Sequence, residues 1–163
     1  MAERLVAADA SPLIGLAAAG AFGLLRGLFG RVTVTEAVRD EVQAGSDRPG
    51  AHELAAAIRK GWIEVAPTPG GLERLPELAP GEASTLLLAQ EHGGECLVLM
   101  DEKLGRARAR ALDLSVTGLA GVLLEARRAG LVEDLRPLFD RLARSDFRIS
   151  SVVVRAVLDE AGG

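Results

Sequence analysis

The sequence predicts an α/β protein: a parallel sheet of five strands flanked by helices, with a helical C-terminal third packed on the sheet. Three observations carry this. Short apolar or β-branched runs alternate with helical runs, the order that builds parallel sheets. The run Cys96-Leu97-Val98-Leu99-Met100 is apolar at every position, as suits a central parallel strand covered on both faces. The 163 residues are 48% hydrophobic and 26% charged, a globular composition. A chain of that size buries roughly 70% of its unfolded surface, so it reads as one domain over residues 1–163.

The elements follow from local chemistry. Arg4 to Ala8 reads as a first strand ending at Asp9. Ser11-Pro12 has the form of a helix start, serine as N-cap and proline at the first helical position. Helical stretches then cover Leu13–Ala18 and Ala21–Phe29, with Gly20 and Gly30 as stops. Val32-Thr33-Val34 is the second strand, and Thr35 caps a helix running to about Gln43. After a polar loop, a helix spans Ala51–Lys60; Gly61 ends it, and Trp62–Val65 forms the third strand. Pro67–Pro80, with four prolines, is an extended surface connection. A helix covers Glu82–His92, and the apolar run at Cys96 is the fourth strand. Lys103–Leu112 is helical, Ser115–Thr117 is the fifth strand, and helices fill Leu119–Ala129, Val132–Ala143 and Ser151–Ala161.

Composition narrows the function classes. No stretch reaches the ~18 apolar residues of a membrane span; the longest candidate, Leu13–Phe29, is broken by four glycines and Arg26. The start lacks the basic region and long apolar core of a secretory signal. A lone cysteine, Cys96, forms no internal disulfide, which points to a reducing cytoplasm. The net charge of −4 does not advertise tight, sequence-blind nucleic-acid binding, so local patches must decide that. Aromatic residues are 3% of the chain, which argues against base-stacking platforms.

Four carboxylates carry the candidate chemistry. Ligands of open α/β sheets bind outside the carboxyl ends of the strands, and Asp9 and Asp101 stand at two such ends. In the helix after Thr35, Val38 and Val42 mark the buried face. At about 100° per residue Glu41 falls on the edge of that face, while Glu36 and Asp40 point away. Glu82, in the first turn of its helix, is in phase with Leu86 and Ala89. Each acid alone has an ordinary use as turn residue, cap or helix-dipole partner. Together they would repel one another, and some would take up protons unless a cation neutralised them. Oxygen ligands without histidine or cysteine select Mg²⁺ or Mn²⁺. His52 and His92 fall on exposed helical segments, away from the acids. Such an ion supports phosphodiester hydrolysis without a nucleophilic side chain. Ser11 then caps its helix, backs the cation-holding acids, or does both.

These pieces resemble the PIN-domain family, and within it the branch of short, toxin-like PIN proteins. The likeness lies in Asp9-Ala10-Ser11-Pro12-Leu13-Ile14, Val38-Arg39-Asp40-Glu41-Val42, Gly81-Glu82-Ala83-Ser84, and Leu97-Val98-Leu99-Met100-Asp101-Glu102. Val116-Thr117-Gly118 and Leu123-Leu124-Glu125-Ala126 extend it over nearly the whole chain. Glu82 stands where many PIN toxins have aspartate, and Asp101 is followed by Glu102 rather than a second aspartate. Either Asp101 or Glu102 could complete the site. The resemblance implies a Mg²⁺- or Mn²⁺-dependent endoribonuclease, often the toxin of a toxin–antitoxin pair. It also implies a homodimer, and a small antitoxin protein that blocks the site.

Basic residues follow the last acid. Lys103, Arg106 and Arg110 could hold an RNA backbone, Arg106 and Arg110 sharing one helical face; equally they form a solvated face. Arg127-Arg128 reads as plain surface. Two other classes compete. A haloacid-dehalogenase-like phosphatase wants a second aspartate two residues after Asp9, where Ser11 stands. A PIN-like module that binds RNA or a protein without cutting would keep the fold and lose turnover.

Overall fold

The computed structural model describes residues 4–45 and 47–162. Among them the strands are β1 (Leu5–Ala8), β2 (Val32–Thr35), β3 (Ile63–Ala66), β4 (Cys96–Leu99) and β5 (Ser115–Thr117). The helices are α1 (Ala10–Ala18), α2 (Leu24–Phe29), α3 (Glu36–Ala44), α4 (Ala51–Lys60), α5 (Pro80–His92), α6 (Lys103–Ala111), α7 (Leu119–Arg128), α8 (Arg136–Ala143) and α9 (Ser151–Glu160). The strands form one parallel sheet in the order β3-β2-β1-β4-β5. The chain runs outward from β1 in one direction and then returns to β4 on its other side. The strand order therefore reverses between β1 and β4, the place where open α/β sheets open a crevice.

The apolar run in β4 does what its composition requires. Cys96, Val98 and Met100 join one buried cluster with Ala83, Leu86 and Leu87 of α5 and Ala109 of α6. Leu97 and Leu99, on the alternate positions, pack into a second cluster with Val6 and Ala8 of β1 and with α1, α2 and α7. Helices α8 and α9 enter that second cluster through Phe139, Leu142 and Val157. They do so by packing on α1 and α7, while α7 itself lies against β5.

A chain of hydroxyl groups fixes where α5 begins. The Val38 amide donates to Thr35 Oγ1 at 3.1 Å, capping α3. Ser84 Oγ donates to the Gly81 carbonyl at 2.9 Å, and Thr35 and Ser84 hydroxyls meet at 2.7 Å. Because Ser84 gives its proton to Gly81, Thr35 is the donor in that contact. Thr85 adds a second bond to the Gly81 carbonyl at 2.8 Å. Thr35, Ser84 and Thr85 are all buried, so every partner in this chain matters. It ties the end of β2 to the first turn of α5.

Boundaries differ from the sequence expectation at four helix starts, one of them α5, which begins at Pro80 and not Glu82. α1 begins at Ala10, one residue earlier than Ser11, because Asp9 itself takes the N-cap position with extended backbone (φ −80°, ψ 170°). Ser11 is therefore inside the first turn and is not the cap. α2 begins at Leu24, since residues 21–23 form turns around Gly20 and Gly23. α8 begins at Arg136, not Val132, with Pro137 in its first turn. Arg127 is half-buried with its Nε enclosed and without a hydrogen-bond partner among the described residues, so it is not plain surface.

Thr35→Val keeps the shape of that side chain and removes both bonds. It should lower unfolding free energy by about 1–3 kcal/mol, from a lost cap that leaves the Val38 amide unpaired plus a lost buried hydroxyl–hydroxyl bond. Urea denaturation checks this, and an unchanged midpoint would show that the hydroxyl chain contributes nothing.

Candidate functional site

The reversal point between β1 and β4 brings the acids together. Asp9 follows β1 directly, and its amide donates to the Leu99 carbonyl at 2.9 Å, so it sits beside the end of β4. Its side chain is buried, with 3% of the residue exposed. Burial pushes the Asp9 carboxyl from its ordinary value of 3.8 up to about 7; the Ala10 amide opposes this, and the charges of Glu41, Glu82 and Asp101 add to it. These are the four acids the sequence singled out, and Asp9 feels each of the other three.

Helix phase delivers Glu41. Val38 and Val42 are buried, and Glu41 Oε1 approaches Gly81, in the first turn of α5. A Cβ built on Gly81 would lie 2.9 Å from that oxygen and 3.4 Å from Asp9 Oδ1. Glycine is what lets the two carboxylates meet α5 there. Glu36 and Asp40 do point elsewhere. Glu36 accepts from the Thr68 amide at 3.2 Å, and Asp40 pairs with Arg39 at 3.0 Å.

Glu82 divides its two oxygens. Oε1 accepts from the Ala79 amide at 3.3 Å, the ordinary service of a first-turn glutamate. Oε2 faces α6, 3.2 Å from where a Cβ on Gly105 would be. Burial raises its pKa, with Glu102 and Glu41 adding to the rise and the Ala79 amide opposing it. Asp101 is divided in the same way. Oδ1 accepts from the Leu119 amide at 2.8 Å and so caps α7. Oδ2 is enclosed, with no hydrogen-bond partner among the described residues. Burial raises the Asp101 pKa, the Leu119 amide and Arg106 lower it, and Glu102 raises it. Glu102 is exposed at the start of α6 and reaches this group through its charge.

The other expected site residues separate. Arg106 and Arg110 line one cavity with Asp101, as their shared face required. Lys103 is exposed and does not line that cavity. Ser11 lines a different cavity, with Arg48 and Arg144. Arg108, between Arg106 and Arg110 in sequence, turns the other way and pairs with Glu77. His52 and His92 are exposed. Sequence reasoning missed the Thr35–Ser84 chain and the glycines at 81, 105 and 118. The signal for Gly81 was present: a glycine inside the first turn of a helix has no conformational use there and marks a close approach.

In chemistry, the donor set fits a hard divalent ion: the acids offer carboxylate oxygens, one of them enclosed and without a hydrogen-bond partner among the described residues. In geometry, no group of three or more His, Cys, Asp or Glu side chains among the described residues is already gathered to hold a metal ion. The acids share a neighbourhood but do not form a closed cage.

A family model described as a PIN domain matches residues 5–163. The chain belongs to the PIN-domain family. Its fold is thus of nuclease type, and PIN domains are in general hydrolases acting on nucleic acid. No curated protein matches the chain. Among the described residues no helix is long and apolar enough to cross a membrane.

The raised carboxyl of Asp9 gives the ion-free PIN domain a signed pH dependence. The unfolded chain ionises Asp9 near 3.8, and the folded chain keeps the proton until about 7. In that window the folded state binds more protons, so stability falls as pH rises. Glu82 and Asp101 add slope of the same sign. In EDTA, urea denaturation between pH 4 and 8 should show Asp9→Asn losing part of this decline relative to the parent. Identical slopes would mean that Asp9 ionises in the fold as it does in water.

Proposed function

We propose that this PIN domain is a metal-dependent endoribonuclease whose catalytic acids are Asp9, Glu41, Glu82 and Asp101. The observation that carries the reading is the cluster itself: Asp9, buried at the β1–β4 reversal, carries the charge of three other acids against it. Asp9, Glu82 and Asp101, with Glu102, are the residues that would hold Mg²⁺ or Mn²⁺. When bound, such an ion supplies a water of lowered pKa and offsets charge on a phosphodiester. The protein's own part is to bury Asp9 and to hold the other acids in place around it. The Ala79 and Leu119 amides each fix one oxygen of Glu82 and Asp101, leaving the second oxygen of each for other use. Glu41 stands across from Asp9 beside Gly81, where it can accept a proton from a water lying between them.

A second reading has one observation in its favour. Because no three acids among the described residues are already gathered into a cage, a PIN-like module that binds RNA without cutting it fits the same arrangement. Manganese titration separates the two. A cutting enzyme gains both a higher melting temperature and RNA cleavage from millimolar Mn²⁺ or Mg²⁺; a binding module gains neither.

The finer assignment is to a cytoplasmic toxin, working as a homodimer and held by a small antitoxin protein. Its support is the likeness of the motifs to the short, toxin-like PIN branch. Expression in a bacterial host should then arrest growth, and Asp9→Asn should relieve the arrest.

Asp9→Asn keeps the side-chain volume and removes one charge. Cleavage of a mixed single-stranded RNA pool with Mn²⁺ should fall about 100-fold or more, the scale of losing one positioned electrostatic group. Equal activity in parent and variant would sink the assignment. Gly81→Ala asks the question without removing any acid. Its methyl group would displace Glu41, whose flexible end can move, so the fold should hold within about 1 kcal/mol. Activity should fall roughly 10- to 100-fold from misplacement alone. Full activity with an alanine there would show that Glu41 has no part in the reaction.

A further inference from the structure

A cavity of about 370 Å³ opens beside the acids and gathers arginines from distant parts of the chain. Arg106 and Arg110 come from successive turns of α6. Arg148 comes from the connection between α8 and α9. Asp101 is the acid in its wall, and Oδ1 of Asp101 is already committed to the Leu119 amide. Gly118 forms part of the floor, and a Cβ there would lie 2.6 Å from Asp101 Oδ1 and 3.4 Å from Arg106 Nη1. Arg106 Nε is enclosed and has no acceptor among the described residues. Elsewhere Arg31, Arg108, Arg128 and Arg136 pair with Glu64, Glu77, Glu125 and Asp134. Among the described residues no carboxylate stands within 4.0 Å of Arg106, Arg110 or Arg148. Ser150, the N-cap of α9, lies in the same wall, so the positive end of that helix adds to the field.

Three guanidinium groups against one carboxylate leave the cavity positive. Guanidinium forks match the paired oxygens of a phosphate. We propose that this cavity is a subsite for a phosphate of the RNA strand next to the cleaved linkage, with Arg148 and Arg110 as its positioning residues. The proposal rests on the ribonuclease reading for its substrate. It adds that the strand is gripped to one side of the acids, by a segment that follows them in sequence by more than forty residues. RNA is favoured over an acidic protein partner because the cavity shares Asp101 with the proposed catalytic cluster.

The test is binding, not cleavage. Fluorescence anisotropy with a labelled single-stranded RNA, in EDTA and over a salt series, compares the parent chain with Arg148→Gln, Arg110→Gln and Arg31→Gln. Arg31 is exposed near the opposite, amino edge of the sheet and pairs with Glu64. Arg148→Gln and Arg110→Gln should each weaken binding about fivefold and lower the slope of log affinity against log salt by roughly 0.7, the loss of one phosphate contact on a single strand. Arg31→Gln should change neither. Parent affinity and slope in both cavity variants would overturn the subsite, as would a parent chain that binds no RNA. So would variants that lose affinity only for a polyglutamate competitor, since the cavity would then serve an acidic protein. Failure of the nuclease reading looks different: Asp9→Asn cleaves like the parent while Arg148→Gln still loses RNA affinity.

Discussion

The constraint on which the site is built is that like charges stand together at the reversal between β1 and β4. Carboxylates taken from water lose hydration that a protein interior returns only through hydrogen bonds or counter-charge. Here the compensation is partial and arrives through backbone amides. Glu82 caps the start of α5, Asp101 caps the start of α7, and the Ala10 amide opposes the rise at Asp9. Each acid therefore has a structural occupation that would explain it alone. The sum is not explained that way, because Asp9 stays strongly perturbed after its amide is counted. A group held against its own ionisation is a candidate for work rather than for stability.

The neighbours are shaped around this constraint. All four acids lean on glycines: Glu41 and Asp9 meet Gly81, Glu82 meets Gly105, and Asp101 meets Gly118. Each glycine gives up what a side chain would add to packing and leaves room for a carboxylate. The buried hydroxyls of Thr35, Ser84 and Thr85 do the complementary job. They tie the first turn of α5 to β2 and α3, so that Glu82 and Glu41 are delivered from two helices packed directly against each other. Apolar packing and neutral polar bonds hold these elements, and the second oxygens of Glu82 and Asp101 stay uncommitted.

The sheet was legible because its signals are local. An apolar run such as Cys96–Met100 must be covered on both faces, and it is, by α5 and α6 on one side and α1, α2 and α7 on the other. Glu41 was legible from the phase of Val38 and Val42, a periodicity contained within one helix. Ser11-Pro12 misled because Asp9 could take the N-cap position two residues earlier with the same extended backbone. Pro12 then still falls inside the first turn, where its missing amide costs nothing. Arg148 was out of reach for a different reason. Ser150 nearby signals a helix start but says nothing of where Arg148 goes; its place beside Arg106 and Arg110 is created by how the α8–α9 connection lies against β5 and α7, which is a tertiary fact.

The same separation resolves the charge question. A chain with a net charge of −4 looks ill-suited to a polyanion. Net charge, however, acts over distances at which salt screens, about 8 Å at physiological ionic strength. In the cavity wall itself the charged residues are three arginines and Asp101, with Glu102 exposed nearby. The acids and the arginines therefore do not cancel as a sum. On the proposed function they would divide a strand between them, the arginines taking its phosphates at one place and the carboxylates a cation at the next. Such an arrangement needs both signs at close range, and it sets no requirement on the charge of the rest of the surface.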